Sequence, residues 1–405
     1  MFYSISNDDF CQDSQVQSEL DDKFAPKKRA SLKLAESYRR LGMDSRANVV
    51  KSCATYTEWA KPLSTATAPP PASGARTGGG RDNGKTWKLH IANFCKDRLC
   101  PVCAWRRTVK IFGQVSSVMN VIGSDYDFLF LTLTVPNCNG CDLNFTIDKL
   151  LKSFEDLRHD KRWKNAVCGF FRVLEITHNT DLYACRIVKT RSGKKRKIII
   201  TDDNALPLPN PSYDTYHPHF HIILAVRKSY FKKADYISHD EWLDMWRKAT
   251  RDPSITQVDI RKCKSKSEIS EGEEAVRSLE SAVAEAAKYS VKSGDYLGKY
   301  KDGELVKPFP NKVMDDAVFW LSGALANRQL CAFGGCFLEA RRKLNQDDAN
   351  DGDLVHVEDN KIRADVGYMI VRYSWSSGAY KFTEKSIKMP SVDLLVDDDT
   401  GEILD

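Results

Sequence analysis

From residue 104 onward the apolar positions of the chain switch repeatedly between two spacings. Ala104 to Val121 carries them at helical intervals, whereas Phe128 to Val135 (FLFLTLTV) is a β-rich run closed by Pro136-Asn137. A helical pattern returns near 146–163, strand patterns near 169–177 and 219–226, a helix near 239–250, a strand near 256–262 and a helix near 273–292. Strand-helix-strand-strand-helix-strand is the split βαβ order. It predicts an α+β, ferredoxin-like core with an antiparallel central sheet and helices packed on one face.

The remaining segments frame that core. Residues 61–86 are dominated by Pro, Gly, Ser and Thr and read as a flexible linker or long surface loop. Before them lies a polar N-terminal region, 1–60, containing Cys53; after them come a cysteine-rich knuckle and basic helix, 87–125. The core is expected at 126–300, a helical region at 301–345, and an acidic loop and tail at 346–405. An insertion at 179–216 holds RSGKKRK between two β-prone runs. A protruding basic hairpin and a simple solvated turn both fit it.

Charge sharpens this picture. The formal net charge is +6, but Leu344–Asn360 and Ser391–Asp405 each carry six carboxylates and no Lys or Arg, which leaves +18 on the rest. Such a body suits a polyanion, as well as a merely well-solvated surface. The N-terminus has neither the basic patch nor the apolar stretch of a signal peptide, and no apolar run is long enough to span a bilayer, so a cytoplasmic protein is expected.

The most specific chemistry sits in YHPHFHIILAV. Three of only eight histidines, His217, His219 and His221, occupy alternate positions of a strand and therefore share one face. Two imidazoles on one face can chelate one ion, and Glu175 in the neighbouring strand FFRVLEIT offers an oxygen ligand. A carboxylate in an apolar strand needs a partner in any case. A mixed nitrogen and oxygen site with open positions suits Mn²⁺ or Mg²⁺ acting on a phosphate. His217 precedes Pro218 at the strand mouth and ranks below the other two.

Downstream, SLESAVAEAAKYSVKSGDY reads as helical through Lys288, which puts Glu285 and Tyr289 four apart on one face. Tyrosine is a poor nucleophile unless its ionisation is assisted, which a metal and Lys292 could do. Tyr289 could equally extend the apolar stripe of Val276, Leu279, Val283 and Ala286, and Tyr296 and Tyr300 are rival nucleophiles.

Taken together, LTLTVPN, RVLEIT, HPHFHIILAV and EAAKYSVKSGDY, in that order and preceded by NFCKDRLCPVCAWRR, resemble the plasmid rolling-circle replication initiators of the HUH endonuclease superfamily. The resemblance covers roughly residues 50–340. It implies that His219 and His221 hold a catalytic metal. It also implies that Tyr289 attacks a phosphate to leave a 5′-phosphotyrosine and a 3′-OH primer, and that Glu285 activates water for termination. The implied partners are the plasmid double-strand origin, single-stranded or hairpin DNA at the nick, and the host helicase and DNA polymerase, with no membrane and a homodimer left open. A transposase or mobilisation relaxase, and a non-catalytic DNA-binding regulator, are the competing readings. Arg106 and Arg107 of the basic helix and Lys194, Lys195, Arg196 and Lys197 of the insertion are the expected DNA contacts.

The spacing of Cys95, Cys100 and Cys103 is that of a zinc knuckle lacking one ligand. The matching element of the family has a cysteine at the position of Cys53, with His90 the alternative. Cys138 and Cys141, another CxxC, lack a clear second pair unless Cys331 and Cys336 come close, and are expected to be unligated.

Overall fold

The β-prone runs do pair, and they pair around the most apolar of them. The computed structural model describes residues 14–63, 87–190, 195–232, 235–264, 276–288, 290–357, 367–388, 395–396 and 403–404. At the N-terminus α1 (Ser14–Glu19) continues through a π-helical turn, Leu20–Phe24, into α2 (Ala25–Arg40) and α3 (Asp44–Ser52). Strands β1 (Tyr56–Pro62) and β2 (Lys88–Ala92) precede the long helix α4 (Pro101–Ile122), then β3 (Tyr126–Thr134), α5 (Leu143–His159), α6 (Lys161–Ala166) and β4 (Val167–Asn179). A hairpin of β5 (Cys185–Lys189) and β6 (Lys195–Ile199) leads to β7 (Thr215–Arg227), α7 (His239–Thr250), β8 (Asp259–Lys264), β9 (Val276–Ser278) and α8 (Leu279–Ala286). The chain continues through β10 (Gly298–Lys301), β11 (Glu304–Pro308), α9 (Asn311–Leu325), β12 (Cys331–Gly335), α10 (Cys336–Lys343), β13 (Tyr368–Ser376) and β14 (Ala379–Lys388).

The central sheet has six strands in the order β12-β4-β7-β3-β8-β9, antiparallel except for the pair β8 and β9. The protein is thus mixed α+β with antiparallel sheets. Helices cover both faces of this sheet rather than one. Phe220, Ile222 and Leu224 of β7 pack with α5 and α7, while Ile223 and Ala225 pack with α4, α8 and α10. The run IILAV is continuous rather than alternating because both of its faces are buried.

The helix expected over 273–292 is shorter. Residues 265–275 lie outside the described part; Val276–Ser278 pair parallel to β8, and α8 ends at Ala286. Ser290 cannot continue it, because its carbonyl accepts from Ile176 N of β4 at 2.7 Å. Sheet pairing overrides local helix propensity here.

A second, four-stranded sheet has the order β14-β13-β1-β2. It corrects the expectation of a tail at 346–405, since residues 368–388 supply two of its strands. The alternation YMIVRYSW turns one side of β13 into a core with Trp59, Phe24 and the cysteines. Among the described residues no helix is long and apolar enough to cross a membrane.

Candidate metal centres

The first centre is built on the face of the central sheet that α4 and α8 cover. Register sets Glu175 of β4 opposite His219 of β7, and Thr132 of β3 opposite His221. Both imidazoles are less than a tenth exposed and Glu175 is 2% exposed. His221 Nε2 lies 2.9 Å and His219 Nε2 3.5 Å from Glu175 Oε2, and Lys292 Nζ lies 2.7 Å from Oε1. Burial alone would raise the Glu175 carboxyl. Hydrogen bonds from His219, His221 and Lys292 outweigh it and hold the group well below the usual carboxylate range.

The Nδ1 atoms of both rings also have partners. His219 Nδ1 faces the His217 carbonyl at 3.0 Å, an acceptor only, so that nitrogen carries the proton. His221 Nδ1 is 3.2 Å from Thr132 Oγ1, which can accept its proton. Nε2 of each ring faces the acceptor-only Glu175 carboxylate and shares a proton with it; an ion taking the place of those protons would meet both Nε2 lone pairs and a carboxylate oxygen, three donor atoms within 4.8 Å of one another. This donor set fits a divalent ion with open positions. His217 is not in the group: its ring stacks on His219 at 5.1 Å, and burial pushes its imidazole down to about 4.

At the edge of the centre, Glu285 of α8 lies 3.8 Å from His221 Nε2, and Lys288 Nζ lies 2.5 Å from its other oxygen. A cleft of about 540 Å³ opens here, lined by Thr132, Thr134, His221, Gln257, Arg261 and Glu285. Tyr289 lies outside the described residues. The helix that carries Glu285, α8, ends at Ala286. Tyr296 is fully buried and donates to the Leu99 carbonyl, and burial pushes its phenol, like that of Tyr300, upward. Sequence reasoning missed Thr132 and Lys288. The signal for Thr132 was present, because FLFLTLTV places two threonines on the face that carries the histidines.

A nearby clamp was also missed. His178, at the end of β4, faces the Asp295 carbonyl with Nδ1 at 2.9 Å and Asp214 Oδ1 with Nε2 at 2.8 Å, and stacks on Tyr216 at 4.4 Å. It ties the base of the insertion to the segment that carries Lys292.

The second centre gathers Cys53 from the end of α3 with Cys95, Cys100 and Cys103. Sulfur separations are 3.6 Å for Cys53 to Cys103, Cys95 to Cys103 and Cys100 to Cys53. A zinc tetrahedron with bonds of ~2.3 Å has edges of about 3.8 Å, so the four thiols fit zinc. His90, the alternative ligand, lies on β2 beside Glu58 at 3.7 Å. The buried Lys28 donates to the Lys51 and Cys53 carbonyls at 2.6 Å and holds that helix end in place. Among the described residues Cys138, Cys141, Cys331 and Cys336 belong to no metal-binding group.

The expected DNA contacts divide. Arg106 and Arg107 are 5% and 1% exposed, so their assignment to DNA is corrected. Arg106 donates to the Leu354 and Val355 carbonyls, and Arg107 to those of Asn350, Asp97 and Lys96. Guanidinium groups spent on buried carbonyls cannot reach a phosphate. Arg196 and Lys197 are exposed on β6, with Lys197 paired to Asp181; Lys194 and the side chain of Lys195 lie outside the described residues.

Comparison with known proteins bears on the whole chain. The signature of the replication protein family matches residues 86–381. "Protein rep" of Bacillus amyloliquefaciens is 35% identical over 309 residues, 74% of this chain and 78% of its own. "Protein rep" of Streptococcus pneumoniae serotype 2 is 30% identical over 353 residues, 85% of this chain and 87% of its own. No solved structure matches the chain. A signature over more than half of the residues, and relatives aligned over most of their length, make the chain a member of the replication protein family, the plasmid rolling-circle replication initiators.

Proposed function

We propose that the protein starts plasmid replication as an HUH endonuclease, nicking one strand of the double-strand origin where the DNA is single-stranded or extruded. The observation that supports this most is the convergence of Glu175, His219 and His221 beside a cleft edged by Glu285, with Lys292 on Glu175. The antiparallel order β4-β7-β3-β8, which is that of a split βαβ core, agrees with the HUH assignment. A divalent ion held by the three residues, Mn²⁺ or Mg²⁺, would supply Lewis-acid polarisation of the scissile phosphate.

Tyr289 is the nucleophile in this reading. Its phenolic oxygen bonds to phosphorus as the bond to the 3′ oxygen breaks. The phenolic proton departs and the 3′ oxygen gains one, leaving a 5′-phosphotyrosine and a 3′-OH for the host polymerase behind its helicase. Lys292 and Lys288 place positive charge where the phosphate becomes more negative. Glu285 takes a proton from water in the terminating step, so no second tyrosine is needed.

Tyr289→Phe should abolish the covalent adduct on origin DNA, since only the phenolic oxygen is removed. Glu285→Ala should still form the adduct and nick supercoiled plasmid yet release terminated product poorly. Mass spectrometry of the adduct peptide decides the first point, and a nucleotide attached to Tyr296 or Tyr300 would overturn it.

A further inference from the structure

A second concavity, of about 320 Å³, shares Lys288 and Lys292 with the surroundings of the metal centre. Pro101, Ala104 and Val291 give it apolar surface, and Trp105 and Tyr300 give it aromatic surface. Lys27 joins the two shared lysines in its lining, and among the described residues none of the lining is acidic. Trp105 is held in place: Phe24 meets it edge-on at 4.9 Å, and Lys27 Nζ sits 4.7 Å above its ring. It stands two residues after Cys103 on the first turns of α4, so the thiol cluster fixes its position.

These features select a ligand chemistry. Apolar and aromatic surface suits a planar uncharged ring, while the three ammonium groups of the lining, Lys292 and Lys288 being paired with Glu175 and Glu285 at its border, suit an anion attached to it. The volume lies at the small end of ligand sites, enough for one nucleoside and too small for a duplex or a peptide strand. A single unstacked nucleotide meets all three conditions. The shared lysines fix where in the strand it would lie, because Lys292 also contacts Glu175 and Lys288 contacts Glu285.

We propose that this cleft holds one unstacked nucleobase of the substrate strand, immediately beside the scissile phosphate. The proposal rests on the nicking reading for the identity of the strand. It gives the zinc cluster a functional consequence, since the cluster sets the aromatic wall against which the base is held.

The test compares the full-length protein's affinity for a fluorescent oligothymidylate of about 12 nucleotides with that for an abasic strand of equal length. The wild type should prefer the base-bearing strand by about 5- to 150-fold, the range of one base–aromatic contact. Ala104→Leu, and separately Thr108→Leu, whose side chain lines the cleft one turn on, should fill it and bring that ratio towards one. Affinity for the abasic strand, which reports phosphate binding alone, should hold. In the wild type, an oligothymidylate bearing 5-iododeoxyuridine should crosslink on irradiation to Trp105 or Tyr300. An undiminished preference in both variants, or crosslinks confined to other peptides, overturns the proposal. Adduct formation on origin DNA separates the two readings. A wild type that forms the Tyr289 adduct but fails the base test loses only the cleft, whereas one that passes it without any adduct keeps the cleft and loses the nicking.

Discussion

At the scale of single residues, the metal centre depends on which nitrogen of each histidine is occupied elsewhere. Thr132 and the His217 carbonyl can take the Nδ1 protons, so an ion that displaced the Nε2 protons from Glu175 would meet two imidazole lone pairs beside the carboxylate. His219→Ala or His221→Ala should therefore end metal-dependent cleavage while leaving the fold intact. Full nicking by the folded double variant in a chelator would sink the assignment. Thr132→Val should act more mildly, lowering Mn²⁺ affinity by roughly 10- to 100-fold, as loss of an orienting partner does; titration calorimetry reads it directly. Asp295 offers a pH test. Burial raises its carboxyl from 3.8 to about 6, and its Oδ2 finds no hydrogen-bond partner among the described residues. A folded-state value above the unfolded one means that stability is lost as pH rises from about 4 through 6. Asp295→Asn removes that loss. The variant should match the wild type near pH 4 and exceed it by about 1–3 kcal/mol near pH 8, measured by denaturant unfolding at each pH.

At the scale of elements, the sequence was legible wherever local chemistry and tertiary packing agreed. The bounds of α7 agree with the pattern over 239–250 because a Ser238–Glu241 capping box marks its start. The histidine strand was legible because period-two alternation decides which side chains share a face. Legibility failed where partners distant in the chain decided the outcome. The end of α8 is set by a hydrogen bond from Ile176, 114 positions before Ser290, and the burial of Arg106 and Arg107 by carbonyls near residue 350. A basic helix exposed to solvent and one covered by an acidic segment have the same sequence. Of the DNA contacts expected from the sequence, those on the hairpin of β5 and β6 remain. Arg196 and Lys197 of its second strand are exposed, with Lys197 paired to Asp181. Neutralising Arg196 and Lys197 together should weaken DNA binding and reduce the log-log salt slope by about 0.7–0.9 for each phosphate that the hairpin no longer neutralises. Cleavage of an oligonucleotide at saturating concentration should be spared. An unchanged slope would make the hairpin a solvated turn.

At the scale of the whole molecule, residues 56–62 and 88–92 close on residues 368–388 through the second sheet. The acidic segment after α10 first covers α4: Lys110 meets Asp347 at 2.6 Å and Arg98 meets Asp351 at 2.9 Å, so part of the basic charge counted in the sequence is neutralised internally. The chain then returns as β13 and β14 to lie against β1. β13 is an inner strand of that sheet, and its Val371 and Tyr373 join the core that contains Cys53, Cys100 and Cys103. Tyr380 of β14 donates to the Ala54 carbonyl at 2.7 Å, one residue from Cys53. Zinc binding and the placement of residues 368–388 should therefore be one cooperative property, since a closed thiolate site contributes folding free energy outright. Truncation after Asn360 removes β13 and β14 and leaves one edge of β1 unpaired. The truncated protein should hold less than one zinc per chain and unfold at a lower temperature, whereas truncation after Lys388 should change neither. Tyr380→Phe, which deletes a single hydrogen bond, should cost only about 1 kcal/mol and retain the metal. Elemental analysis and thermal unfolding of the three proteins decide the matter. A protein ending at Asn360 that kept a full zinc complement and the wild-type midpoint would show that the thiol cluster folds without the C-terminal hairpin.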